Sequence, residues 1–171
     1  MTLSADDRRR DMGLARELII QAVGGHALDS VECDTDEPPF NQILPTTWKV
    51  LEDRVLIRRT PGWGRRCELT GDGWYVCMKA LGKFNEPEFH GMMQTLAAAL
   101  QKQIKGRRDE ALVYAESLAN AAGLPLDFVF NAIESRLLDH EFNIEGAYWD
   151  EHGRTGMWIR VPIDFGHPPD C

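Results

Sequence analysis

Apolar residues recur at three- and four-residue intervals over residues 4–23, where Leu14, Leu18, Ile19, Ala22 and Val23 share one face, and this spacing predicts a first helix. Ser4 is placed to cap it, Asp6 and Asp7 lie in the first turn, where carboxylates favour the helix dipole, and Gly24-Gly25 ends it. Residues 26–39 lose the period and predict an irregular acidic loop closed by Pro38-Pro39, with a short helical turn over 40–44. Next comes a short helix, capped by Thr46 or Thr47 and carrying Trp48, Leu51 and Val55. Leu56 and Ile57 lead into a strand with Arg58 and Arg59, Thr60 to Gly64 turn with Trp63 at the tip, and Arg65 to Leu69 return as a second strand. Thr70-Gly71-Asp72 starts another helix, with Trp74, Val76, Cys77, Ala80 and Leu81 as its predicted buried positions.

The stretch from Gly82 to Pro87 breaks the pattern and predicts a boundary between two modules, residues 1–83 and 84–171. A long helix over 88–105 follows, with Phe89, Met92, Met93, Leu96, Leu100 and Ile104 as its apolar stripe. Gly106 and Gly123 then separate two further predicted helices, 109–122 and 125–138. Residues 144–149 and 156–161 predict a second hairpin turning at Asp150 to Gly153, because Met157, Ile159 and Val161 alternate with Trp158 and Arg160.

The first half resembles the winged helix-turn-helix superfamily. The likeness rests on a helix ending in Leu51-Glu52, the apolar pair Leu56-Ile57, a hairpin, and then Leu69-Thr70-x-x-Gly73. In the second half Ala119, Gly123 and Val129 match the helix-turn-helix spacing of a small residue, a glycine four later and an aliphatic six beyond. The small residue lets two helices cross closely, the glycine takes the left-handed turn, and the aliphatic packs back. The expected fold class is therefore α+β, mainly helical, with two winged-helix-like modules, each a helical bundle with a β-hairpin.

Charge sharpens the contrast between the halves. The whole chain carries −8, but residues 1–85 hold twelve Lys/Arg against thirteen Asp/Glu, whereas residues 86–171 hold seven against fourteen. Within residues 48–66 the balance reverses, with Lys49, Arg54, Arg58, Arg59, Arg65 and Arg66 against Glu52 and Asp53. Overall acidity argues against coating nucleic acid non-specifically but leaves room for a local basic patch. Apolar residues at 43% suffice for a core, and charged residues at 27% suit a soluble globular protein. No apolar run approaches the roughly 20 residues of a membrane span, and the N-terminus lacks the apolar stretch of a secretory signal. The four cysteines (Cys33, Cys67, Cys77, Cys171) form no C-x-x-C pair, which points to reduced thiols and a cytoplasmic protein.

Catalytic chemistry finds no motif. Thr70-Gly71-Asp72-Gly73 lacks phosphate-loop spacing, the five histidines are never spaced as metal ligands, and the acidic run Glu32 to Glu37 lacks the loop glycine and terminal glutamate of a calcium-binding loop. The expectation is a non-enzymatic protein without metal or cofactor. Its leading function is DNA binding of transcriptional-regulator type. Thr46, Thr47, Lys49 and Arg54 of the first module's helix would face double-stranded DNA, Arg58, Arg59, Arg65 and Arg66 would hold phosphates, and Trp63 would pack on the backbone. The alternative is a non-catalytic protein-interaction or adaptor module on the same folds, with a homodimer through the 88–105 helix as a further possibility. The second half favours it: its helix offers Leu126, Asp127, Phe128, Asn131, Glu134 and Ser135, and its aromatics include Tyr148, Trp149 and Trp158.

Overall fold

Ser4 begins the first helix by a reciprocal pair of bonds. The Asp7 N–H donates to the Ser4 hydroxyl oxygen (3.1 Å), while the Asp7 carboxylate accepts from the Ser4 hydroxyl (2.6 Å) and N–H (3.3 Å). Helix α1 then runs Ala5–Gly25 and buries Ala15, Ile19 and Val23. The computed structural model describes residues 3–25, 31–60, 65–107, 110–139, 142, 144–148 and 156–162. The chain divides into two compact units, Met1–Phe84 and Asn85–Cys171.

In the first unit α1 is followed by strand β1 (Glu32–Asp34), a 3-10 turn at Phe40–Gln42, helix α2 (Pro45–Asp53), strands β2 (Ile57–Arg59) and β3 (Arg66–Leu69), and helix α3 (Gly71–Ala80). The sheet has the order β1-β3-β2, antiparallel throughout. Two expectations are corrected. The acidic stretch is not all loop, because Cys33, 1% exposed, pairs with Cys67 and pulls Glu32–Asp34 into a strand. The threonines do not cap α2 either: Pro45 takes the first helical position after an extended Leu44, and Thr47 lies inside the helix, buried.

Helix α2 ends in a tight left-handed turn. The Leu56 N–H donates to the Leu51 carbonyl (3.0 Å) and the Val55 N–H to the Glu52 carbonyl (2.9 Å), with Val55 at φ +59°. Val55 is therefore the exposed residue beyond the helix end and not part of the core face, at 60% exposure. Thr70 locks this turn onto α3. Its N–H donates to the Leu56 carbonyl (3.1 Å), its hydroxyl donates to the Val55 carbonyl (2.5 Å), and the same oxygen caps α3 by accepting from the Gly73 N–H (3.1 Å). A Cβ at Gly73 would fall 2.0 Å from the Leu56 carbonyl oxygen, so backbone meets backbone there and only glycine fits. In α3, Trp74, Cys77 and Met78 are buried, whereas Val76 and Ala80 face outward, contrary to expectation.

The second unit comprises helix α4 (Pro87–Ile104), strand β4 (Ala111–Tyr114), helices α5 (Ala115–Ala122) and α6 (Leu126–Glu134), and strands β5 (Gly146–Tyr148) and β6 (Trp158–Val161). Its sheet has the order β4-β6-β5, again antiparallel. The expected helix over 109–122 is replaced at its start by a strand, whose residues alternate buried and exposed where Val113 and Ala111 face the core. The α4 stripe is core: Phe89, Leu96 and Leu100 are buried, and Phe89 meets Phe128 edge-on at 5.9 Å. Gly123 adopts φ +65° between α5 and α6, with Ala119 and Val129 buried on either side. Helix α6 stops at Glu134, short of the expected Leu138, because Arg136 turns left-handed at φ +62°. Phe128 and Asn131 of α6 are buried, so they are not the outward positions expected. The 150–153 turn of the second hairpin lies outside the described residues.

Among the described residues the protein is thus α+β and mainly helical, with six α-helices and two three-stranded antiparallel sheets. No described helix is long and apolar enough to cross a membrane.

Candidate functional site

The expected DNA-facing residues gather around α2, β2 and β3, but their charges, Arg54 apart, are met within the unit. Register places Arg58 opposite Glu68 and Asp34 opposite Arg66 across β3. Arg58 pairs with Glu68 at 2.5 Å, Arg59 with Glu52 at 3.3 Å, and Arg65 with Asp36 at 2.9 Å. Arg66 lies 3.9 Å from both Glu32 and Asp34. On α2, Lys49 and Asp53 sit one turn apart and close to 2.7 Å, and this hydrogen bond raises the Lys49 pKa. Five of the six cations therefore meet carboxylates, drawn from Glu32, Asp34, Asp36, Glu52, Asp53 and Glu68. Solvent screens most of these pairs, so they add little to stability. Their consequence here is electrostatic, since the acidic segment that the sequence separates from the basic hairpin by some thirty residues lies alongside it.

The remaining expected positions divide. Thr46 is exposed on α2, Thr47 is buried at 5% exposure and presents nothing outward, and Trp63 lies outside the described residues. Arg54, exposed at the end of α2, meets no carboxylate at ion-pair distance among the described residues. Its surroundings are apolar, and they are taken up below.

The fold also assembles groups that their spacing kept apart. Cys33 and Cys67 are opposite one another in the sheet, and Cys77 of α3 is close enough to act on Cys33 electrostatically. Burial pushes the Cys33 thiol up to about 12 and the Cys77 thiol to about 11; it raises Cys67 too. All three are free thiols, protonated at neutral pH, and packed as small apolar groups rather than poised as nucleophiles. Among the described residues no cluster of His, Cys, Asp and Glu is arranged to hold a metal ion.

In the second unit the sheet exposes an aromatic row. Tyr114, Trp158 and Tyr148 occupy one register position across β4, β6 and β5. Trp158 stacks on Tyr148 with ring centroids 4.5 Å apart and an interplanar angle of 23°. Tyr114 is 54% exposed, Tyr148 45% and Leu112 46%, so this face is apolar and open. The alternation that buries Val113 and Ile159 necessarily turns these rings outward. At the same face Arg160 is held between Glu110 and Glu145, the latter at 3.3 Å. Tyr148 and Trp158 were expected to pack against the first half or a partner; Tyr114 was missed because its strand reads as helix. Comparison with known protein families, characterised proteins and solved structures gives no match.

Proposed function

We propose that the chain is a non-catalytic protein-interaction module built from two winged-helix-like halves, with the aromatic face of the second sheet as its contact surface. Support for the architecture is the shared layout. Each unit runs helix, strand, short helical segment, helix, then two strands, and each sheet has its first strand beside its third. The observation that carries the function is the row Tyr114–Trp158–Tyr148, in which both tyrosines are exposed and the tryptophan between them is half-buried. Large rings exposed side by side lose little entropy on binding and contribute large contact area. The half that carries them holds fourteen carboxylates against seven cations, so the partner it suits is a protein segment with apolar side chains flanked by lysine or arginine. Nucleic acid stacking on the same rings would bring phosphates against those carboxylates.

An array of short peptides probed with the full chain tests this. Enrichment of Lys- and Arg-flanked apolar peptides, lost with Tyr114→Ala and Tyr148→Ala, is the expected result. Binding of single-stranded oligonucleotides instead, lost with the same variants, would overturn it.

Binding of double-stranded DNA by a transcriptional regulator is the second reading, favoured by Arg58, Arg59 and Arg66 standing on adjacent strands. Phosphates would then have to displace the carboxylates of Glu32, Asp34, Glu52 and Glu68. Fluorescence polarisation with random duplex at two salt concentrations measures this; four neutralised phosphates give a log–log slope of about −0.9 for each. Binding abolished by Arg65→Glu with Arg66→Glu would favour this reading over the first. Homodimerisation through residues 88–105 would have to use the stripe residues that α4 leaves half-buried, Met92, Met93 and Ile104.

A further inference from the structure

Between α1, α2 and α3 of the first unit lies a cavity of about 400 Å³. Its walls are aliphatic or sulfur-bearing: Met12 and Ile20 come from α1, Leu51 from α2, Leu56 from the left-handed turn, and Val76 and Cys77 from α3. Met12, Ile20 and Leu56 are half-buried and Val76 is 46% exposed, so apolar surface that the core leaves unfilled faces the solvent here. The volume lies in the range of small-molecule sites, roughly 300–1,000 Å³.

Among the described residues two charged ones line it, Arg16 and Arg54, and both are cations. Both are exposed, and neither meets a carboxylate at ion-pair distance among the described residues, in contrast to Arg58, Arg59, Arg65 and Arg66 nearby in the chain. Arg16 and Cys77 line the same cavity, and the Arg16 charge opposes the rise of that thiol. An apolar cavity of this size, whose guanidinium groups meet no carboxylate and whose lining holds none among the described residues, is complementary to an alkyl chain ending in an anion.

We infer that this cavity binds an amphipathic monocarboxylate, its alkyl chain lying against Ile20, Leu51, Leu56 and Val76 and its carboxylate held by Arg16 and Arg54. The alkyl chain gains by leaving water, and the planar guanidinium forks pair with the carboxylate oxygens. The Cys77 thiol, protonated at neutral pH, takes part by packing only. This site is separate from the aromatic face, and each stands or falls without the other.

Isothermal titration calorimetry of the full chain with decanoate, kept below its micelle concentration, tests the inference. Decan-1-ol, decyltrimethylammonium and anionic phospholipid vesicles are the comparison arms. Decanoate is expected to saturate at one per chain and to bind about tenfold or more tighter than the equally long cation. Arg16→Gln and Arg54→Gln should each weaken decanoate about tenfold, the scale of one charge-assisted hydrogen bond, and leave decan-1-ol unchanged. Both arginines are exposed, and an unchanged circular dichroism melt verifies that the variants fold. Decanoate should also slow alkylation of Cys77, read by mass spectrometry. No saturable binding, equal binding of the cation, indifference to both arginine variants, or binding to vesicles but not to decanoate would each overturn the inference.

Discussion

Gly73→Ala offers a test in which local and tertiary physics predict opposite signs. Helix propensity alone favours alanine over glycine inside a helix by about 1 kcal/mol. The structure predicts the reverse. An added Cβ would sit 2.0 Å from the Leu56 carbonyl oxygen and 3.0 Å from its carbon, both backbone atoms that no rotamer change can move. To make room, the start of α3 must withdraw from the α2–β2 turn. That breaks the bonds from Thr70 N–H to Leu56 (3.1 Å) and from Thr70 hydroxyl to Val55 (2.5 Å), worth about 1 kcal/mol each. It also shifts Trp74, 1% exposed, against its neighbours, at a cost of about 1–3 kcal/mol by analogy with overpacked cores. Subtracting the propensity gain leaves a net loss of about 2–4 kcal/mol. Urea unfolding of the full chain followed by tryptophan fluorescence measures the change, and hydrogen exchange over residues 45–80 assigns it to the first unit. An unfolding midpoint that stays put or rises would refute the close approach of α3 to Leu56.

Val55→Gly should stabilise the first unit by about 1 kcal/mol in the same urea experiment, since a β-branched residue at φ +59° and 60% exposure carries strain and little burial. Thr70→Val, close in size but unable to cap α3 or bond Val55, should cost about 1–3 kcal/mol. The buried thiols give a pH dependence of definite sign. Their native values are raised to about 12 for Cys33 and about 11 for Cys77 from the ordinary 9.0, so the unfolded chain releases these protons first. Their contribution to stability is complete below pH 9 and is lost as the pH climbs through 9 towards 12; Cys33→Ala with Cys77→Ala should flatten that alkaline limb of the urea midpoint. Reversing Asp36 to Lys should leave the fold intact and raise duplex affinity if β3 touches DNA, because Arg65 loses its partner.

What was legible in the sequence was whatever local chemistry determines. The bond from Ser4 to Asp7, the Thr70 cap and the left-handed Gly123 each depend on residues within four positions of one another, and each reads directly from residue type and spacing. What was hidden depends on partners far along the chain. Glu32-Cys33-Asp34 has the composition of a loop and becomes a strand only because Cys67 is its neighbour in the sheet. Ala111 to Tyr114 suits a helix by composition, and only pairing with β6 makes it extended. The basic hairpin was visible as a run of arginines, but its neutralisation was not, because the carboxylates reach it through the register of β3 against β1 and β2 or through the packing of α2 on β2. The position of Thr47 follows from Pro45, which moves the helix start ahead of the threonines and turns one of them inward. Arg54 stood among the expected DNA-facing residues by its charge, and only the fold sets it beside an apolar cavity.

The short strands of the first sheet bear on how the protein stays apart from its own copies. Edge strands offer unpaired N–H and C=O groups to any chain that can extend alongside them. Here the edges are β1 and β2, three residues each, and two residues in each are ionised: Glu32 and Asp34 on one edge, Arg58 and Arg59 on the other. A like edge approaching either of them meets its own charge, and a backbone ladder of three residues offers little to offset that repulsion. Short length and a charged side chain at two of three positions thus make each edge a poor match for its own copy.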